Sequence, residues 1–423
     1  MKRYLLFILI TAFSYVLRAQ TLEQCYARAQ ENYPLIAQYD LIRQTAEYSL
    51  DAAANAWIPQ IVFSGQATYQ SDVASFPEQL TDIYKQMGLN FEGLHRDQYR
   101  LAVDISQTLW DGGATQAARR VSRANEEVQR QSLEVQLYAL KERVNSLFFG
   151  ILVLQEQQRL NTELQEMLQS NMGRVASLIQ NGLATPSDSL TLEAELLQTR
   201  QQAVTLQTSV DTYRAMLALF TAHPVGTLEV PDTPAEGDGS RPRPEYALYD
   251  LRLKAADAQE AALRVALFPR ISAFGQGFYG SPGLNMFEDM MHSQFSWNYI
   301  VGLRMQWNLS SFFTRKQEAR KISLTRTQVE IERDLFSFNQ ALQVQQADAT
   351  LEGKRQIMQQ DNRLVSLRQA VREATEAKVQ HGVAGVDDLV RDIYSENKAK
   401  IESVLHRVDC LKYIYDQKMI TNN

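Results

Sequence analysis

Few residues in this 423-residue chain could do covalent chemistry, and none stands at a spacing that would use it. The five histidines, His95, His223, His292, His381 and His406, are scattered and offer no metal-ligand spacing. No Gly-x-Ser-x-Gly, His-Glu-x-x-His or phosphate loop occurs. An enzyme is therefore not expected, nor a metal, nor a cofactor. Cys25 and Cys410 are the two cysteines, and an exported chain could join them and tie its ends together. The titratable groups that do show a pattern are carboxylates at two related turns. In Asn181-Gly182-Leu183-Ala184-Thr185-Pro186-Ser187-Asp188, Gly182 can take the left-handed conformation that ends a helix. Thr185 is placed as N-cap, Pro186 suits the first helical position, and Asp188 falls in capping-box position. The second turn, His381-Gly382-Val383-Ala384-Gly385-Val386-Asp387-Asp388, keeps the glycine and the aspartate. Asp188, Asp387 and Asp388 thus lie in the first turns of helices, where a carboxylate meets the helix dipole. Capping and a role in an ion path both remain open for them.

Those turns recur because the whole chain repeats. Laid over each other, Pro34–Tyr69 and Pro244–Tyr279 are identical at 13 of 36 positions, where composition alone would give about two. Further on the shift drops from 210 to 200, with Tyr99/Tyr299, Leu109/Leu309, Arg120/Arg320, Gly182/Gly382, Ala184/Ala384 and Asp188/Asp388 coinciding. The difference of ten must lie between Tyr69 and Tyr99. The domains read as a signal peptide at 1–19, a first repeat at 20–220, a connector at 221–243 and a second repeat at 244–423. Lys2 and Arg3 before the apolar run Tyr4–Leu17 carry the signal reading. The connector is loaded with Pro, Gly and Asp. A net charge of −6 is too weak to imply nucleic acid.

Each unit reads helix, strand, loop, strand, very long helix, tight turn, helix. The first helix, about Leu22–Ala56, stops before Pro59. The period then changes to two over Gln60–Gln70, Tyr99–Leu109, Arg270–Gly280 and Tyr299–Leu309. Runs of about ten to twelve residues suit tilted membrane-spanning strands. Leu101, Val103, Leu303 and Met305 are expected to face lipid, and Asp104, Ser106, Arg304 and Gln306 a lumen. Aromatics gather at both ends: Tyr69, Tyr99, Tyr279, Trp297 and Tyr299 at the loop side, Trp57, Phe268, Trp110, Trp307, Phe312 and Phe313 at the helix side. From about Gly113 to Gln180 there is no proline, so a helix of roughly 67 residues, about 100 Å long, is expected. Helices of about 35 residues return from the two turns. Residues 70–98 and 280–298 are expected as loops outside the cell, the first longer by ten.

Four strands cannot close a barrel, and an open edge in lipid leaves backbone groups unpaired. The chain must share a barrel with copies of itself: two would give eight strands and a filled bore, three would give twelve and room for a channel. The order of elements, duplicated, resembles the outer-membrane efflux protein family of the TolC type. The residues that carry the resemblance are Thr21-Leu22-Glu23-Gln24-Cys25 with Ala29, Trp57-x-Pro59, Leu109-Trp110-Asp111-Gly112-Gly113 and the two tips. The resemblance implies an α+β membrane protein whose duplicated unit gives a trimeric twelve-stranded transmembrane β-barrel, four strands per chain. A long α-helical periplasmic barrel would continue it. It implies an outer-membrane exit duct of a tripartite efflux pump or type I secretion system, a passive conduit. The partners implied are a homotrimer, a periplasmic adaptor, an inner-membrane pump and outer-membrane lipid. It also places a constricting aspartate at Asp388 and an adaptor-contact surface at Gly182, Leu183, Gly382 and Val383. The chain departs from the family pattern where Ser310-Ser311-Phe312-Phe313 replaces a Gly-Gly, which would stiffen that strand exit. It departs again at Ala384, where some members carry an arginine. A soluble periplasmic coiled-coil scaffold or binding protein is the competing reading, and the four alternating segments argue against it.

Overall fold

The computed structural model describes residues 19–182, 184–233 and 242–422. Of the expected signal peptide only Ala19 falls among them, and Leu183 lies outside. Proline decides where the first helix stops. In place of one helix to Ala56 there are two: α1, Leu22–Asn32, and α2, Ala37–Ala54, parted by a 3-10 turn at Pro34–Ile36. Pro34 has no N–H to donate, and it holds Tyr33 extended at φ −68° and ψ 130°.

Four antiparallel strands follow the order β1-β2-β3-β4: β1 Gln60–Tyr69, β2 Asp97–Trp110, β3 Arg270–Ser281 and β4 Ser296–Gln306. β1 and β4 are edges, each with one neighbour among the described residues. The register sets Phe63 against Val103, Leu101 against Tyr279, Tyr279 against Trp297 and Ile271 against Met305. Directly paired residues share a face, so these residues and Leu303 form one apolar surface. It is bare in the single chain: Phe63 is 71% exposed, Leu303 72% and Met305 67%. Asp104, Ser106, Arg304 and Gln306 lie on the opposite face, because side chains alternate along each strand. A register shift between Thr108 and Trp110 sets Trp110 against Ile271 on the apolar face.

The strand connections differ from plain loops. Each carries a short helix: α3, Glu78–Gln86, in the first and α7, Met286–Met291, in the second. Phe76 stands against Phe91 at 5.0 Å and against Phe287 at 6.0 Å, so aromatic packing draws the two connections together. Aromatic pairs also mark the strand ends. Tyr279 meets Trp297 at 5.1 Å on the loop side, and Trp110 meets Phe268 at 6.4 Å on the helix side.

The long helices are α4, Ala114–Gln180, of 67 residues, and α8, Ser310–Gln380, of 71. Their entries explain the difference. After β2, the Asp111 carboxylate accepts from the N–H of Gly113 at 2.8 Å and of Thr115 at 2.7 Å, and α4 starts only beyond the two glycines. After β4 there is no glycine pair, and the Asn308 side chain accepts from the Ser310 N–H at 3.1 Å, so α8 begins at once. The returning helices, α5 Pro186–Thr221 and α9 Val386–Thr421, have 36 residues each. The remaining helix, α6, Pro244–Val265, leads into β3.

Contacts divide the chain into two compact units, each drawn from both halves of the sequence. One holds the described residues of Leu41–Gln129 and Asp250–Glu330, with the sheet. The other holds those of Met1–Asp40, Arg130–Tyr249 and Ile331–Asn423. Its first core gathers Leu22, Cys25, Phe148, Phe149, Leu217 and Val404. Within that unit a Cβ at Gly150 would come within 2.6 Å of the Tyr213 ring, so the bare backbone there admits α5 against α4. Cys25 and Cys410 are both buried and both free, so no disulfide ties the ends. Burial pushes the Cys25 thiol up to about 11.

Candidate functional site

The two tips are built the same way at the helix end and differently at the next helix start. α4 ends at Gln180 and α8 at Gln380, and the turns that follow run through Gly182 at φ 72° and Gly382 at φ 70°. The Gly182 N–H donates to the Ile179 carbonyl, and that of Gly382 to the Val379 carbonyl, both at 3.0 Å. Left-handed backbone frees those orphan carbonyls to be satisfied, and only glycine adopts it without steric cost. At the second tip the Val383 N–H also reaches back to the Lys378 carbonyl at 2.9 Å. Gly182, Gly382 and Val383 are exposed.

The helix starts then diverge. At the first tip the Asp188 carboxylate accepts from the Thr185 backbone N–H at 2.7 Å and from its hydroxyl at 2.9 Å. At the second tip Gly385 stands where Thr185 does and has no side chain to offer. Asp388 turns instead to Arg391, one turn along, at 2.8 Å with both groups well exposed. Asp387 is exposed beside it. Neighbours on a helix point about 100° apart, so Asp387 and Asp388 do not aim at one point.

Beneath the turns the two hairpins share a core. Leu164, Leu168, Val175, Leu192, Leu196, Val379, Val386, Leu389, Val390 and Ile393 are its buried members, with Ala184 and Ala384 packed against it. An ion network flanks this core that the sequence reading did not single out. Glu396, 1% exposed, accepts from Arg372 at 2.7 Å and pairs with Lys400 at 2.8 Å. Arg372 also reaches Glu376 at 2.6 Å, and Arg174 of α4 pairs with the same glutamate. Burial works to raise the Glu396 pKa, but the hydrogen bonds and charges of Lys400 and Arg372 outweigh it and hold the carboxyl below its ordinary value. Across the hairpins the Thr199 and Tyr394 hydroxyls meet at 3.2 Å. The helical spacing Arg372/Glu376 and Glu396/Lys400 was visible as four-residue pairs, whereas the burial that makes them matter was not.

The sheet supplies the other polar constellation. On its polar face the Arg100 guanidinium lies 3.8 Å from the Phe278 ring centroid, and that of Arg304 lies 4.6 Å from Phe274. β3 therefore carries two phenylalanines, Phe274 and Phe278, among the polar residues of this face, each under an arginine. Arg100 donates to Gln276 at 2.5 Å, and Gln276 donates in turn to Asp104. No group of histidines, cysteines and carboxylates that could hold a metal occurs among the described residues.

The described helices include none long and apolar enough to cross a membrane. Residues 25–223 match the family of outer membrane efflux proteins. Among solved structures the chain is similar to the outer-membrane channel OprN, with TM-score 0.68 at 16% identity over 95% of this chain and 89% of that one. It is similar to VceC of Vibrio cholerae, with TM-score 0.67 at 12% identity over 95% and 96%. The CmeC channel of Campylobacter jejuni gives TM-score 0.65 at 13% identity over 95% and 85%. No curated relative matches by sequence.

Proposed function

Because residues 25–223 match the family of outer membrane efflux proteins, we propose that this chain is an outer-membrane exit duct of an efflux pump and that three copies of it close one duct. The observation that carries this reading is the open sheet. Its edges β1 and β4 each lack a second partner among the described residues, and its apolar face is bare. In lipid such edges must pair, and only another copy offers the complementary edge. Three chains give twelve strands, enough for a water-filled lumen.

The helices support the same assembly. Along α8 the exposed apolar residues Ile331, Leu335, Phe338 and Leu342 recur at steps of four, three and four, and Leu364, Leu367 and Val371 at three and four. On α5, Leu190, Leu197 and Val204 recur at seven. Such rows are coiled-coil seams awaiting partners. A soluble scaffold would leave the bare strand face unexplained.

The helical part lies in the periplasm and the sheet in the outer membrane. We take the exposed turns at Gly182, Gly382 and Val383, together with Leu183, which lies outside the described residues, as the surface that meets a periplasmic adaptor, which couples the duct to an inner-membrane pump or secretion ATPase. The threefold axis would turn Asp387 and Asp388 into rings of three carboxylates that favour cations and bind a blocking divalent ion. Asp388→Ala should lower cation preference and divalent block in a planar bilayer. Mild crosslinking of outer membranes should yield a species of three chains. A stable membrane monomer, or recovery in the soluble periplasm without detergent, would overturn the reading.

A further inference from the structure

The polar face of the sheet carries an unbalanced charge. Alternation places Arg100, Asp104, Arg270 and Arg304 on it, the charged residues of that face, so each chain has an excess of two positive charges there. The excess does not fall evenly. Arg100 and Asp104 answer one another through Gln276, which accepts from the first and donates to the second. Arg270 and Arg304 have no ion-pair partner among the described residues, and both are exposed.

Arg304 is also shaped for contact. Its guanidinium is held over the Phe274 ring, which settles the side chain while leaving its N–H edge free. The ring has room because residue 302 is glycine: a Cβ there would stand 3.1 Å from Phe274. Ile300, two residues from Gly302 and four from Arg304 along β4, shares the same face and pairs with Gln276. A fixed guanidinium edge beside an apolar floor fits a carboxylate, sulfate or phosphate that carries an apolar body.

We propose that the barrel lumen is an anion-favouring segment of the duct, with Arg304 on its Phe274 platform as the contact for organic anions in transit. The inference rests on the trimeric duct proposed above, which would set six unpaired arginines around the wall. It opposes the tip rings of Asp387 and Asp388, so the sheet and the tips would prefer opposite charges. A wide lumen screens such charges at physiological salt, whereas a Debye length of about 30 Å at 0.01 M lets them act across it.

The test is the reversal potential of the full-length protein in planar bilayers under a potassium chloride gradient near 0.01 M. It should be made in the wild type and in the Asp387→Ala/Asp388→Ala background, where the barrel would dominate. In that background the duct should prefer chloride. Arg270→Gln/Arg304→Gln should cut the chloride-to-potassium permeability ratio by about twofold or more, and Arg304→Lys should keep it. Phe274→Leu should weaken current block by an alkyl sulfate while leaving the small-ion ratio close to the parent's. An unchanged ratio after both arginines are neutralised would overturn the inference and leave the duct reading standing. Protein that inserts but passes no ions would overturn the duct, and this inference with it.

Discussion

The two tips descend from one duplicated turn, yet they protect their interiors with different chemistry. At a shift of 200, Leu196 corresponds to Glu396, Met172 to Arg372 and Ala176 to Glu376. Leu196 and Glu396 are both buried, so one helical position is filled by an apolar side chain in the first copy and by a paired carboxylate in the second. The caps differ in the same sense. Thr185 and Asp188 close a local box, whereas Gly385 leaves Asp388 to an exposed arginine. Hydrophobic burial cannot be switched off by removing one partner or by adding protons. A buried ion network can, because each member depends on the charge of the others. The second copy is thus the conditional half of the tip.

The largest effect should come from breaking that network. Glu396→Ala takes away the buried acceptor that Arg372 and Lys400 share, leaving Arg372 to Glu376, and should cost roughly 2–3 kcal/mol. Chemical denaturation of the detergent-solubilised protein would measure it. Grafting the first copy's residues as Arg372→Met/Glu376→Ala/Glu396→Leu should cost far less or stabilise, since well-packed apolar groups often replace buried ion pairs without loss. If the graft were as damaging as the single change, the network would be doing something other than filling the site. The same pair of proteins gives a pH test. The folded pKa of Glu396 is lowered, so its contribution is fully present above the unfolded value of about 4.3 and is lost as pH falls through the folded one. Wild type should therefore lose stability below about pH 4 more steeply than the graft.

Next in size are the tip glycines. Gly382→Val or Gly182→Val forces a β-branched residue into left-handed backbone and should cost roughly 1–2 kcal/mol each. Export in cells should fail more completely than melting temperature predicts if the turn is also the docking surface. Asp188→Ala removes the first tip's box and should cost about 1 kcal/mol. Asp388→Ala removes only an exposed pair and should cost under about 0.5 kcal/mol. Equal losses at the two aspartates would erase the distinction between cap and free carboxylate. The smallest expected change is a gain: Gly385→Thr should restore a box at the second tip and add a few tenths of a kcal/mol. Gly385 has φ −78° and ψ 158°, which threonine adopts freely.

Much of this was legible because it is local or periodic. The alternation that sets Leu303 and Met305 apart from Arg304 and Gln306 needs only the strand period of two. The helix-ending glycines Gly182 and Gly382 need only their position after a long unbroken pattern. Pro34 was equally local, and reading the first helix through to Ala56 overlooked its effect on Tyr33. The sequence could not show that α3 and α7 would stand in the strand connections around Phe76 and Phe287, since short helices there depend on packing between the two connections.

Duplication, strand faces, helix lengths and turn chemistry are written in the chain itself, because each follows from backbone sterics and the polarity of residues a few positions apart. Burial is not a local property. That Glu396 would be enclosed with Arg372, that Arg304 would lie on Phe274 and that Cys25 and Cys410 would stay apart was decided only when distant segments packed. The strength of a charge pair depends on the water left around it, and in this protein the tertiary structure sets that amount.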